Sequence, residues 1–130
     1  MTLQKVIELR HKLHAHPELS NYESNTSRII KQFISQYDPD EIIEGLGGHG
    51  IAAIFDMPYE GPAIAIRCEL DALPIQEANE ELTYKSISHG VSHKCGHDGH
   101  MAMVAGLAEW LEKKPIDLSL IHISEPTRPY

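Results

Sequence analysis

Twelve residues, His89-Gly-Val-Ser-His-Lys-Cys-Gly-His-Asp-Gly-His100, hold four of the nine histidines and one of the two cysteines in this 130-residue chain. Imidazole nitrogen and thiolate sulfur are preferred ligands of zinc and its borderline-soft neighbours. The segment must therefore be held where several of its side chains can converge on one point. Alternate side chains share a face in extended backbone, so His93, Cys95 and His97 are expected to project together. From Gly99 onward the apolar spacing becomes helical, through Met101, Val104, Leu107, Ala108 and Leu111. Asp98 is then the expected N-cap, and the positive end of the helix favours a thiolate at Cys95. These residues describe a metal site at a strand-to-helix junction.

A bland alternative exists for each residue. Cysteine often packs as a small hydrophobe, and lone histidines are commonly hydrogen-bonded structural groups. The density of ligand types, with two glycines that let the backbone turn, favours the metal site. A closed structural zinc knuckle is disfavoured, because Cys68 is the only other cysteine and no second Cys pair exists. An open catalytic site fits better. A thiol hydrolase with Cys95 as nucleophile and His97 as base is a weaker alternative, since the surplus of His and Asp suits a cation.

Composition narrows the partners. The net charge is −8, which gives no electrostatic support to nucleic-acid binding. No apolar run approaches the length of a membrane span, and the first residues lack the apolar core of a signal peptide. Two cysteines without a disulfide framework suit a reducing compartment. A cytoplasmic protein with neither nucleic-acid nor membrane partners is expected.

Along the chain, Leu3, Val6, Ile7, Leu9 and Leu13 describe a helix that Pro17 should stop near Ala15. Ser20 and Glu23 have capping-box spacing ahead of a second helix with a stripe of Ile29, Ile30, Phe33, Ile34 and Tyr37. Residues 45–50 are a glycine-rich turn cluster, followed by a short apolar run at 51–55. Ala63-Ile-Ala-Ile-Arg67 is apolar without alternation, as a central strand covered on both faces would be. Helix, helix, strands and a further helix make a layered α/β domain. Asp71 lies just past the second strand, where ligands bind in open α/β sheets. It is either a site residue or a turn residue ahead of Ala72-Leu-Pro74. Glu69 should face the same way, and two adjacent carboxylates repel unless a cation or a basic group lies nearby.

Taken in order, Arg10-x-x-x-His14-x-x-Pro17-Glu18-Leu19, Asp71-Ala-Leu-Pro-Ile75 and Gly90-Val-x-His93-x-Cys95-Gly-His-Asp-Gly-His100 resemble the amidohydrolase branch of the aminoacylase-type metallopeptidases. That branch holds the hippurate hydrolases, N-acyl-amino-acid amidohydrolases and auxin-conjugate hydrolases. The resemblance runs from about Leu9 to Trp110. It implies the N-terminal part of a three-layer α/β/α zinc-peptidase-like catalytic domain, incomplete here, with a smaller dimerising domain inserted later. It also implies two divalent metal ions (zinc, manganese or cobalt) and hydrolysis of small N-acyl amino acids or related amides. Dipeptidase or carboxypeptidase activity is the alternative within the superfamily, and a non-catalytic metal-binding module the alternative outside it. Cys95 and His97 match family metal ligands, and Asp71 matches a catalytic aspartate that orients a ligand. His93, Asp98, His100 and Glu69 are expected to support the site, while His14, Pro17 and Glu18 match a motif that anchors the first helix. Two departures stand out: Glu69 replaces the first acid of an Asp-x-Asp pair, and Lys94 stands where a small residue is usual. The family's Glu-Glu pair, whose first member carries the proton, and the remaining ligands have no counterpart after the motif.

Residues 118–128, Leu-Ser-Leu-Ile-His-Ile-Ser-Glu-Pro-Thr-Arg, coincide with the translation of a widely used transposon-end sequencing adapter. Residues 1–117 are therefore expected to be the metallohydrolase portion, and 118–130 a non-native read-through tail. The competing reading of the tail is a genuine amphipathic strand followed by a polar turn.

Overall fold

The first helix, α1 (Leu3–Ala15), turns Leu9 and Leu13 inward and ends where Pro17 requires it to end. The chain is described here by a computed structural model that covers residues 3–58, 60–115 and 119–125, the last stretch as backbone. The second helix, α2 (Ser24–Ser35), buries Ile29, Ile30 and Ile34, with Tyr37 tucked in just past its end.

Its start corrects the expected capping box. Glu23 occupies the N-cap position without a side-chain cap bond, and Ser20 lies four residues ahead of the first helical residue. The cap comes instead from Glu18. The Thr26 N–H and hydroxyl donate to its Oε1 at 2.5 and 2.6 Å, and the Asn25 N–H donates to Oε2 at 3.3 Å. An ionised carboxylate only accepts, and here it meets the helix end whose N–H groups lack partners.

A hairpin follows, of β1 (Glu41–Leu46) and β2 (Gly50–Phe55) in antiparallel register. Gly47 and Gly48, at φ of 60° and 116°, make the turn that the glycine cluster predicts. β1 itself was not foreseen. It is largely exposed and its glutamates break the apolar pattern, leaving Ile42-Ile43 as the only strand signal.

β3 (Ala63–Glu69) leads through the long loop 70–96 into α3 (His97–Leu111) and then into β4 (Ser119–Glu125). The sheet order is β1-β2-β4-β3, with β4 antiparallel to β2 and parallel to β3. The expectation that β3 is the central, doubly covered strand is thus overturned. β3 is an edge strand among the described residues, Ile64 is 40% exposed, and burial appears only toward Cys68. The segment expected to be a tail holds the interior position as β4. Its backbone groups satisfy open ladder partners on β2 and β3 at once.

All three helices pack on one another, and α2 and α3 cover β2 and β3. The core between them is built from Leu13, Ile30, Ile34, Ile51, Phe55, Leu70, Met101 and Leu111, each essentially inaccessible. Ala102, Ala105 and Ala108 form the buried face of α3, small enough for close helix approach. One consequence positions the site: the β3–α3–β4 crossover sets the start of α3 just beyond the carboxyl end of β3.

Candidate metal centre

Gly96 makes the junction possible. At φ 91° it is the N-cap of α3, so the backbone turns sharply between Cys95 and His97. His97 becomes the first helical residue and faces the end of β3. There it meets both acids of the Glu69-Leu70-Asp71 segment: Nε2 lies 3.0 Å from Glu69 Oε2, and Nδ1 lies 3.0 Å from Asp71 Oδ1. Nδ1 is also 2.8 Å from the Asp71 carbonyl oxygen. Glu69, Asp71 and His97 are the residues whose ligand atoms gather within 4.8 Å of one another.

The donor set fits a cation. The Asp71 carbonyl can only accept, so Nδ1 is a donating nitrogen of His97. Nε2 faces the Glu69 carboxylate, where it can donate as a protonated ring or, as a neutral one, share a cation with Glu69. Glu69 is longer by one methylene than the aspartate usual in the resembling enzymes, and this reach brings it to His97. Arg67 donates to its other oxygen at 3.2 Å. The cluster borders an open cleft of about 380 Å³ lined also by Arg67, His100, Met103 and Val104, ample for a small ligand.

The other sequence candidates are placed differently. His100 sits one helical turn on, its ring 6.3 Å from that of His97. Cys95 is exposed, and its sulfur is not among the ligand atoms that gather within 4.8 Å. The extended backbone expected through His97 stops at Gly96 and gives way to helix, so simple alternation does not run from His93 to His97. Asp98 is not the N-cap but the second helical residue, and it is buried. Its carboxylate still profits from the positive helix end.

His93 is 4% exposed, and neither of its ring nitrogens has a partner among the described residues. Burial pushes its pKa down to about 4, against the opposing pull of the Asp98 charge, and His14 and His97 add to the depression. The ring is therefore neutral at pH 7, with an unshared lone pair deep in the site. A buried group without a partner is costly, and a neutral imidazole in that condition is what a divalent cation takes as ligand.

Behind the cluster lies a network that sequence reasoning largely missed. His14 on α1 sets Nδ1 2.7 Å from Asp98 Oδ2 and Nε2 2.9 Å from Glu77 Oε1. Arg10 Nε reaches the same Asp98 oxygen at 2.9 Å, and Lys94 Nζ reaches Glu77 Oε2 at 2.5 Å. Burial works against ionisation of Glu77, but Lys94, His14 and the Ser86 N–H outweigh it and hold its pKa at about 2. Arg10 and His14 are four apart on one helix face, which was a signal for a common target. Glu77 and Lys94 come from irregular loop, where no periodicity points to a partner.

Comparison with known proteins agrees with the fold and the motif. Residues 65–125 match the peptidase family M20/M25/M40. Thermostable carboxypeptidase 1 of Saccharolobus solfataricus is 38% identical over 83% of this chain and 27% of its own length. The N-acyl-L-amino acid amidohydrolase of Geobacillus stearothermophilus is 39% identical over 80% of this chain and 28% of its own. The chain thus spans about a quarter of the length of these curated relatives. The crystal structure of Bacillus subtilis YxeP, a dinuclear metal-binding peptidase of the M20 family, superposes with a TM-score of 0.88 at 35% identity. That superposition covers 95% of this chain and 35% of YxeP. Sequence motif, sheet topology and these relatives converge on peptidase family M20/M25/M40, whose model matches residues 65–125 of this chain.

Proposed function

We propose that this chain carries the first part of a metal-dependent amidohydrolase site, in a protein that cleaves the amide bond of N-acyl amino acids or related small amides. The carrying observation is the meeting of Glu69, Asp71 and His97 at the carboxyl end of β3, with the buried His93 near enough to feel the charges of His97 and Asp71. Glu69 and His97 Nε2 would hold a divalent cation, with Cys95 and His93 as the further donors from this chain. Zinc, manganese and cobalt all suit such a nitrogen, oxygen and sulfur set, and the dinuclear relative supports a pair of ions. When bound, such ions lower the pKa of coordinated water and polarise an amide carbonyl.

The chain's own residues do the orienting. The Asp71 carbonyl accepts from Nδ1 of His97, and the Asp71 carboxylate holds the ring from the same side, as acids behind metal-bound histidines do. Arg67 steadies Glu69, and the cleft past His100 offers room for the acyl or amino-acid part of a substrate. No Glu-Glu pair follows the motif in these residues, so we assign no general base here and propose that the 130-residue polypeptide is inactive alone. The two cysteines, both free thiols, support a cytoplasmic setting. Among the described residues no helix is long and apolar enough to cross a membrane.

The relatives favour an amidohydrolase and a carboxypeptidase almost equally, so the substrate test must separate them. The experiment is to resequence the source locus across codon 117 and express the product found. It is then assayed on N-acetyl and N-benzoyl amino acids and on dipeptides, with and without a chelator. Chelator-sensitive release of amino acid from the N-acyl substrates supports the proposal. Turnover of dipeptides alone moves the assignment to a peptidase. An encoded tail and stop codon at that point would leave a metal-binding module in place of an enzyme.

A further inference from the structure

The buried network behind the metal centre has a definite shape. Arg10, Asp98, His14, Glu77 and Lys94 form a chain of alternating bases and acids, with His14 at its middle. Both ring nitrogens of His14 face carboxylate oxygens at hydrogen-bond distance, at 2.7 and 2.9 Å. Each nitrogen can donate to the carboxylate oxygen it faces, so the ring is held between two acids. The two arms end at Asp98, directly after His97, and at Lys94, directly before Cys95. A single side chain on α1 therefore ties both ends of residues 94–98, directly at Asp98 and through Glu77 at Lys94, across the turn that Gly96 makes sharp.

We propose that His14 is a positioning residue, which acts through Asp98 and through Glu77–Lys94 to hold His97 and Cys95 in register for one cation. This rests on the metal-centre reading above. The geometry favours positioning over a plain anchor for α1. Leu9 and Leu13 already pack that helix apolarly, whereas the charged bonds of His14 are all aimed at the two flanks of the ligand turn. Lys94, unusual where the resembling enzymes carry a small residue, completes the second arm.

The test titrates Co²⁺ into the full 130-residue chain and into His14→Gln, following visible absorption, with helix content checked by circular dichroism. The expected result is a loss of about 10- to 100-fold in Co²⁺ affinity at unchanged helix content. The absorption spectrum of the saturated complex should also change, since ligand angles are no longer imposed. A merely structural role would lower the melting temperature and leave that spectrum alone, and this outcome overturns the proposal. Should His14→Gln fail to fold, Glu77→Gln decides, because it loosens the Lys94 arm and leaves Asp98 bound to His14. Weakened Co²⁺ binding there supports the proposal, and parental affinity with a parental spectrum overturns it. A parent chain that takes up no Co²⁺ overturns the metal-centre reading itself, whereas a parent that binds and variants that bind equally overturn the positioning role alone.

Discussion

Replacing Glu18 by Ala should destabilise this fold more than any other change to a partly exposed side chain outside the core. The carboxylate accepts two backbone N–H groups of the first turn of α2 and the Thr26 hydroxyl. Loss of an N-capping side chain costs about 1–2 kcal/mol, and hydrogen bonds to a charged group contribute about 1.5–3 kcal/mol net. Glu18 is only half-buried, so water recovers part of the deficit, and the expected cost of Glu18→Ala is about 2–4 kcal/mol. Glu18→Gln keeps an oxygen for Thr26 and forfeits the charge at the helix end, which costs about 1 kcal/mol. Urea unfolding followed by circular dichroism gives both values. With a slope of about 1–3 kcal/mol per molar, the Ala variant moves the midpoint by roughly 1 M or more. The Gln variant moves it by less than half as much, and both keep the parental slope. A Glu18→Ala variant within about 0.5 kcal/mol of the parent would refute the remote cap and return the start of α2 to Ser20 and Glu23.

Three further outcomes follow from the same geometry. The Glu77 carboxyl is held at about 2 against an ordinary 4.5, so its stabilisation is complete above pH 4.5 and is lost as the pH falls toward 2. The stability gap between parent and Glu77→Gln, about 3 kcal/mol at neutral pH, should close across that window in urea titrations; a gap independent of pH would contradict the ion pairing. Met101→Ala should cost about 2–5 kcal/mol in thermal unfolding, while Met103→Ala, exposed on the same helix, stays within about 0.5 kcal/mol; equal losses would mean that α3 is rotated from the orientation described. Cys95 should react quickly with a chromogenic disulfide and Cys68, buried, slowly. Saturating Co²⁺ or Zn²⁺ should slow the fast thiol, and an unchanged rate would remove Cys95 from the ligand set.

The helices were legible because their signals are local. Pro17 stops α1 at Ala15, and the spacing of Ile29, Ile30 and Ile34 reads directly as one buried stripe. What escaped was set by partners distant in sequence. Ala63–Ile66 looks like a strand covered on both faces, yet apolarity does not say which neighbours are present, and here it is an edge. Glu18 caps a helix eight residues on because the chain doubles back after Pro17, which no capping pattern encodes. At the centre, His97 with Asp71 and Glu69 could be anticipated from position past a strand. The sharp turn between Cys95 and His97 could not, since it hangs on the left-handed conformation of a single glycine, Gly96. The buried pairing of His14 with Glu77 spans 63 residues, and only the resemblance hinted that this histidine mattered.

The strand order β1-β2-β4-β3 also dictates how the chain can be made. β2 and β3 are finished early, but neither can touch the other, because the slot between them belongs to a strand that starts 50 residues after Glu69. At about 5–20 residues per second, translation leaves that slot vacant for roughly 3–10 s. For that interval two apolar ladders stand open side by side on the ribosome, a target for chaperones or for a neighbouring nascent chain. Whatever segment follows α3 with the right alternation will be drawn into the vacancy, and so the identity of β4 governs whether the polypeptide leaves the ribosome as a closed sheet or as two halves seeking other partners.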